Sequence, residues 1–468
     1  MTDSPRPSGA AGERDPGSFR DPSGFVFRRD GVLYRQVNRV FADDWGAAVD
    51  AGILQRWQAD GRLVSHEVVD VALAADPGQA LAVLRPDPIA FISYPYERTF
   101  GQLKDAALLT LDLQEDAERS GFTLRDASAY NVQFDRGRPI LIDTLSLERR
   151  TGDEPWAAYR QFCQHFVAPL ALMARRDIRC GLMLRDYVDG IPIDLAATLL
   201  PGRTRLSTGL GSHVHLHARA QRRYADAARG APRRAAMGAT RRGALLDSLR
   251  RTIMGLHWSP GGTEWADYDR ETSYTDQGTR AKESIVEAML QDTGGSAVWD
   301  LGANVGRFSA IAANLGRRVV AWDVDPAASE RHYQRLKARG VTAVLPLVQD
   351  LVNPSPGLGW AGAERAPFVD RSDADVVMAL ALVHHLAISN NVPLDWVAAL
   401  FARLAPAGLV EFVPKGDPMV ILLLGSRPDV FPDYTQDGFE RAFSTRFRIV
   451  ARTPIPDSTR VLYRLERA

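Results

Sequence analysis

Cysteine is scarce: Cys163 and Cys180 are the only two in 468 residues. That is too few for a disulfide framework or a four-cysteine zinc site, and it suits a reducing cytosol. No metal site is implied, and a cytoplasmic location is expected. Long hydrophobic runs are also missing. The longest candidates, Val376 to Leu386 and Met419 to Leu424, stop well short of the roughly 20 residues a membrane-spanning helix needs. Nor does one sign of charge dominate. Lys plus Arg and Asp plus Glu each number 57, for a formal net charge of +0, so nothing attracts the whole molecule to nucleic acid or an anionic membrane. Neither membrane insertion nor a nucleic-acid partner is expected, and the oligomeric state is left open. Residues 1–24 lack an apolar core and abound in Pro, Gly, Ser and Asp, which excludes a signal peptide or anchor and reads as a disordered tail.

What is present is an ordinary globular mixture, 45% hydrophobic and 24% charged, able to bury large cores. Residues 25–201 alternate apolar stretches with polar turns. Residues 202–257 form an Arg/Ala-rich connector in which 12 arginines between Arg203 and Arg251 face only Asp226 and Asp247 as acids, and a solvated helix or two is expected there. In the same stretch His213, His215 and His217 would share one face of a strand. No Cys, Asp or Glu stands near enough to complete a metal shell with them.

From 258 to 468 the chain reads as repeated strand and helix. Ala297 to Leu301 is a short apolar run carrying Asp300. It is followed by Gly302-Ala-Asn-Val-Gly306 and then a segment of helical spacing from Arg307 to Leu315. This is strand, glycine turn, helix, with backbone N–H groups free at the helix start for a nucleotide-like ligand. The Gly-x-x-x-Gly spacing and the acid beside it disfavour a pyrophosphate and welcome a cation such as the ammonium or sulfonium of S-adenosylmethionine. The next strand, Arg318 to Asp323, ends in an acid about twenty residues on, where an adenosine ribose presents two hydroxyls. A third, Thr342 to Asp350, ends in a carboxylate placed for the adenine amino group.

The Asp-Leu-Gly-Ala-Asn-Val-Gly motif with the Asp323 and Asp350 strand ends resembles the class I S-adenosylmethionine-dependent methyltransferase family, over roughly Thr272 to the carboxy terminus. The resemblance implies a Rossmann-like α/β domain with a seven-stranded, mostly parallel sheet and helices on both faces. It implies S-adenosylmethionine as cofactor. Asp300, Gly302 and Gly306 then line the methionine part, Asp323 holds the ribose, Asp350 faces the adenine, Tyr274 and Lys282 cap the site, and Asn304 is counted among the cofactor-binding residues. The fourth strand, from Asp375, runs into His384-His385, which in this fold faces the transferred methyl group. Histidine suits removal of a proton from a hydroxyl or carbon acid. On an extended segment only one of the two would face the acceptor. An Asn-Pro-Pro-Tyr-type sequence, which serves amino acceptors in related enzymes, is missing, so a small-molecule oxygen or carbon acceptor is expected. Glu411 and Lys415, on the fifth strand and its loop, would meet the substrate or pair with each other.

In the first block, a helical stretch from Phe100 to Ser120 precedes Leu124-Arg-Asp126-x-x-x-x-Asn131, a hairpin turning at Asp135-Arg-Gly137, and Asp143. This resembles the catalytic loop and metal-binding aspartate of the protein kinase and aminoglycoside phosphotransferase superfamily, an α+β fold. Carried over, Asp126 is the base, and Asn131 with Asp143 holds magnesium. Leu124 replaces the usual histidine, Thr144 follows Asp143 in place of Phe-Gly, and Lys104 is the only lysine before residue 280, so no residue of the expected lobe holds nucleotide phosphates. The expectation is a methyltransferase with an amino-terminal module that positions a small-molecule acceptor. The alternatives are a binding or scaffold protein with degenerate modules, or a bifunctional methyltransferase and phosphotransferase.

Overall fold

The computed structural model describes residues 12–226, 236–261, 276–425 and 428–468. The first block opens with an antiparallel sheet of five strands: β1 (Glu13–Arg14), β2 (Gly24–Arg29), β3 (Val32–Asn38), β4 (His66–Val69) and β5 (Ala80–Pro86), in the order β1-β2-β3-β5-β4. Asp30 and Gly31, both at positive φ (52° and 77°), make the tight turn between β2 and β3, as a two-residue hairpin loop requires. The long helix Phe100–Arg119 follows, started by a capping box in which Thr99 and Gln102 exchange side-chain to backbone hydrogen bonds of 2.9 and 3.2 Å. Two small ladders come next. β6 (Phe122–Leu124) pairs with β9 (Leu147–Arg149), and β7 (Val132–Asp135) with β8 (Arg138–Leu141).

The second block holds a sheet of seven strands: β10 (Ala297–Leu301), β11 (Arg318–Asp323), β12 (Val344–Val348), β13 (Val376–Ala379), β14 (Ala407–Phe412), β15 (Phe447–Pro454) and β16 (Val461–Arg467). Their order is β12-β11-β10-β13-β14-β16-β15. The first five run parallel, β16 runs antiparallel to β14, and β15, antiparallel to β16, returns to the direction of the first five. Helices cover both faces, so the inner strands are buried throughout, as in all five residues of β10. The mixed α/β architecture with a mostly parallel sheet is the one expected from the sequence. Strand order reverses at β10, between β11 and β13, and a crevice opens there at the carboxyl ends of the strands.

Three expectations need correction. Residues 12–24 are not a free tail: β1 pairs with β2, Arg20 grips the buried Glu364 through hydrogen bonds of 2.8 and 2.9 Å, and Asp21 accepts from Arg125 at 2.6 Å. The described residues of 202–257 are largely helical, as expected, but the helix Ala239–Met254 is not solvated all round. Leu246, Leu249 and Ile253 form one stripe of the helix Ala239–Met254 and bury themselves in the first block's core, while Arg242 and Arg250 are taken up by Glu118, Asp112 and Glu115 of the long helix. His213 and His215 lie on a π-helical turn rather than a strand, each bonded to hydroxyls: His213 to Tyr159 and Ser248 at 2.9 Å each, and His215 to Thr204 at 2.8 Å.

The two blocks share a packed boundary. Phe91 inserts edge-on between Trp299 and Trp322 of the second block's core. Buried Glu97 ion-pairs with Arg371, and Glu330 and Tyr333 bond to Gly101 and Asp105 of the long helix.

Candidate functional site

A cleft of about 460 Å³ opens at the strand reversal. Its floor is the turn after β10, where Gly302, Asn304 and Gly306 all take positive φ (73°, 49° and 81°). At Gly306 a Cβ would lie 2.0 Å from the His332 ring, so only glycine lets the helix Arg307–Asn314 start so close to the helix Pro326–Arg339 that carries His332. The left-handed Asn304 turns its N–H to Oδ2 of Asp323 at 2.7 Å, and its own Oδ1 is buried without a partner.

Two carboxylates flank this turn. Asp300 accepts from the Ser309 hydroxyl at 2.6 Å, and Asp323 accepts from the Asp325 N–H at 2.8 Å. Burial pushes both up to about 6, outweighing these hydrogen bonds, with Asp323 adding to the rise at Asp300 and Asp325 to that at Asp323. Gln349, Asp350, Leu351 and Val352 line the wall beyond β12. Asp350 is exposed and accepts from the Val352 N–H at 2.8 Å.

The opposite wall carries Thr279, Lys282, His385, Ser389, Asn390, Leu423 and Arg460. Lys282 is buried and donates to Glu411 at 2.6 Å; burial lowers its pKa. Arg460 holds Asp417 through two bonds of 2.7 and 2.9 Å and reaches Glu411 at 3.5 Å. Glu411 therefore pairs with Lys282 and Arg460, whereas Lys415 pairs with Asp429.

His384 and His385 are not on an extended segment. His384 is helical and starts the π-helical turn His385–Ser389. His385 lines the cleft and is pushed down to about 4, first by burial and then by Arg460. His384 is fully buried outside the cleft lining, and its ring lies 4.1 Å from that of His385. Neither of its ring nitrogens has a partner.

Of the expected cofactor residues, the cleft gathers Asp300, Gly302, Asn304, Asp323, Asp350 and Lys282, with Gly306 at its helix start. Tyr274 lies outside the described residues. Sequence reasoning missed Gln349, Leu423 and Arg460. Arg460 sits in a polar turn before β16, and no local pattern announces its pairing with Asp417 across 43 positions.

Asp126, Asn131 and Asp143 lie apart from this cleft, around β6 to β8 of the first block. Burial raises the Asp126 carboxyl, and the Asp143 charge adds to the rise. Burial would raise Asp143 too, but the ion pair with Arg35 of β3, the Ser146 hydroxyl at 2.6 Å and the Leu145 N–H at 3.2 Å outweigh it and hold it below the usual range. Tyr130, inside the Asp126–Asn131 loop, lies under the Arg365 guanidinium of the second block at 4.3 Å. No helix among the described residues is long and apolar enough to cross a membrane.

No protein-family profile matches the chain. Three similar solved structures each cover less than half of it. The N-methyltransferase NodS of Bradyrhizobium japonicum WM9 is 12% identical over 41% of this chain and 97% of its own, with TM-score 0.31. The magnesium protoporphyrin IX methyltransferase ChlM of Synechocystis PCC 6803, with bound SAH, is 17% identical over 44% and 90%, with TM-score 0.29. The bifunctional kinase-methyltransferase WbdD is 18% identical over 44% and 43%, with TM-score 0.30. The nodulation protein NoeA of Rhizobium meliloti (strain 1021), by contrast, is 36% identical over 99% of this chain and 97% of its own length. At that identity over nearly the whole of both chains, the protein belongs to the family of the nodulation protein NoeA.

Proposed function

We propose that the protein is an S-adenosylmethionine-dependent methyltransferase acting on a small-molecule oxygen or carbon acceptor. The observation that carries this reading is the surplus of acceptors around one glycine turn: Asp300 and Asp323 held up near 6 by burial, and Asn304 Oδ1 buried without a partner. Such a set fits a ligand that brings an ammonium and ribose hydroxyls, because each carboxylate oxygen still has a lone pair to offer.

When bound, S-adenosylmethionine supplies an electrophilic methyl group on a sulfonium sulfur. The chain's own work is positioning and proton removal. Asp323 would hold the ribose hydroxyls, Asp300 and Asn304 the ammonium end, and Gln349 with Asp350 the adenine edge. His385, neutral at physiological pH, would accept the proton of an acceptor hydroxyl as the new O–C bond forms. His384, outside the cleft lining, would pack against His385 rather than meet the acceptor. The test is incubation with methyl-labelled cofactor and metabolite extracts. Transfer of label to a small molecule, lost in Asp323→Ala, is the expected result; label retained on the cofactor across extracts from the source organism would favour a scaffold protein.

For the first block the reading is a degenerate phosphotransferase-like module that helps to position the acceptor. The Arg35–Asp143 ion pair supports this, since a guanidinium already occupies the carboxylate a magnesium ion would need. A thermal shift with ATP and magnesium that disappears in Asp143→Asn would instead support magnesium-dependent nucleotide binding by this block.

A further inference from the structure

The helix Pro326–Arg339 is occupied on two opposite faces. Glu330, Tyr333 and Lys337 recur at i, i+3 and i+7 and form one stripe. At about 3.6 residues per turn, His332 and Arg335 lie on the far side of the helix from that stripe. They hold the cofactor turn. The His332 ring fills the space that a Cβ at Gly306 would need, and the Arg335 guanidinium donates to the Val305 carbonyl at 3.3 Å. Val305 itself lines the cleft.

The first stripe meets the first block through directed bonds. The Gly101 N–H, in the first turn of the long helix Phe100–Arg119 and so without an intrahelical acceptor, donates to Oε2 of Glu330 at 2.8 Å. Gln334 donates to the other oxygen at 2.7 Å. One turn further along the long helix, Asp105 accepts from the Tyr333 hydroxyl at 2.6 Å and from Lys337 at 2.5 Å. Glu330 and Tyr333 are only 1% and 5% exposed. A carboxylate buried this far is costly wherever its donors fail to meet it, so these bonds fix the helix in place as apolar packing alone would not. The approach is also close: a Cβ at Gly101 would lie 2.8 Å from Oε1 of Glu330 and 3.0 Å from the Tyr333 ring.

We propose that Glu330 and Tyr333 are positioning residues for the cofactor turn: through them the first block fixes where the helix Pro326–Arg339 holds Val305 and Gly306, and so sets the affinity of the cleft for its cofactor. The proposal rests on the cofactor reading of the cleft. It gives the first block a part in the reaction that needs no ligand of its own, since one rigid helix touches the long helix on one side and the glycine turn on the other.

The test titrates S-adenosylhomocysteine by calorimetry into the full-length wild type and into Gly101→Ala and Asp105→Ala, both altered in the first block alone. Arg250→Ala serves as the control, because it breaks the first block's own ion pairs to Asp112 and Glu115 of the same long helix. Urea denaturation measures the stability of each protein, and the amide resonances of Gly302, Asn304 and Gly306 report on the turn without any ligand. Affinity should fall roughly fivefold in Gly101→Ala and Asp105→Ala and stay unchanged in Arg250→Ala. The three resonances should move in the first two variants only. Adding Glu330→Asp to Gly101→Ala shortens the side chain that the new Cβ meets, and should restore part of the affinity. Unchanged affinity in folded Gly101→Ala and Asp105→Ala overturns the proposal. So does an equal loss in Arg250→Ala, which would make the effect one of general stability. If the wild type binds no S-adenosylhomocysteine while the turn resonances still respond to Gly101→Ala and Asp105→Ala, the positioning of the turn by the first block stands and the cofactor reading falls.

Discussion

The backbone N–H of Asn304 donates to Oδ2 of Asp323 at 2.7 Å, and this one bond joins the turn after β10 to the end of β11 as a single surface. Without it the acid that ends β11 would lie beside the glycine turn but not be oriented by it. With it, a ligand that engages Asp323 also meets Asn304 and the start of the helix Arg307–Asn314.

Affinity for S-adenosylhomocysteine should fall in mild acid. Burial holds Asp300 and Asp323 up to about 6 in the free protein, and their ionised forms accept far more strongly from ammonium and hydroxyl donors than the protonated acids do. Protonation therefore competes with binding, at a cost of roughly tenfold per carboxylate at pH 5. Titrations near pH 6 in buffers of different ionisation heat should show proton release on binding. The same raised values mean that folding stability of the free protein gains from these two acids as pH falls from 7 through 6, because the folded chain then binds more protons than the unfolded one. Asp300→Asn should flatten that rise in a chemical-denaturation series.

Gly306→Ala should destabilise the second block and weaken cofactor binding. The new Cβ meets the His332 ring at 2.0 Å, and the φ of 81° is strained for any L side chain. The expected cost is about 2–4 kcal/mol by urea denaturation. His332→Ala removes the clash but not the strain, and should restore part of the loss.

Arg35→Ala should destabilise the first block by about 2–4 kcal/mol at pH 7, since it leaves the Asp143 carboxylate largely buried and unpaired. Arg35 holds that carboxyl below its ordinary value, so the pair's contribution is present above the unfolded value of roughly 4 and fades as pH drops below it. Wild type and variant should therefore converge in stability in acid.

Arg371→Ala should loosen the boundary between the blocks. Glu97 is fully buried and loses its ion-pair partner, while Phe91 and Tyr94 lose the guanidinium that lies over them at 5.3 and 4.2 Å. A cost of about 3–5 kcal/mol is expected. Calorimetric unfolding should pass from one transition in the wild type to two in the variant.

The second block was largely legible because its signals are local: apolar runs ending near an acid, a glycine turn and helical spacing give β10, β11 and the turn between them. The ion-pair network along the opposite wall of the cleft was not. Arg460, Asp417, Glu411 and Lys282 come from four separate segments, and their pairing is a tertiary fact with no short-range pattern. In the segment 202–257 helix was expected and is found, but the arginines suggested solvent all round, while the stripe of Leu246, Leu249 and Ile253 packs the helix Ala239–Met254 into the first block's core. The histidine pair was read on an extended segment because β13 was drawn too long: the strand ends at Ala379, and the chain turns helical at His384.

The most direct test of the cofactor assignment is a calorimetric titration of S-adenosylhomocysteine into the full-length wild type and Asp323→Ala at pH 7.5, with circular dichroism confirming that both are folded. The expected result is one-site binding by the wild type and affinity weakened roughly a hundredfold in the variant, the scale of one or two lost charge-assisted hydrogen bonds. No binding by the folded wild type, or equal binding by both proteins, would contradict it.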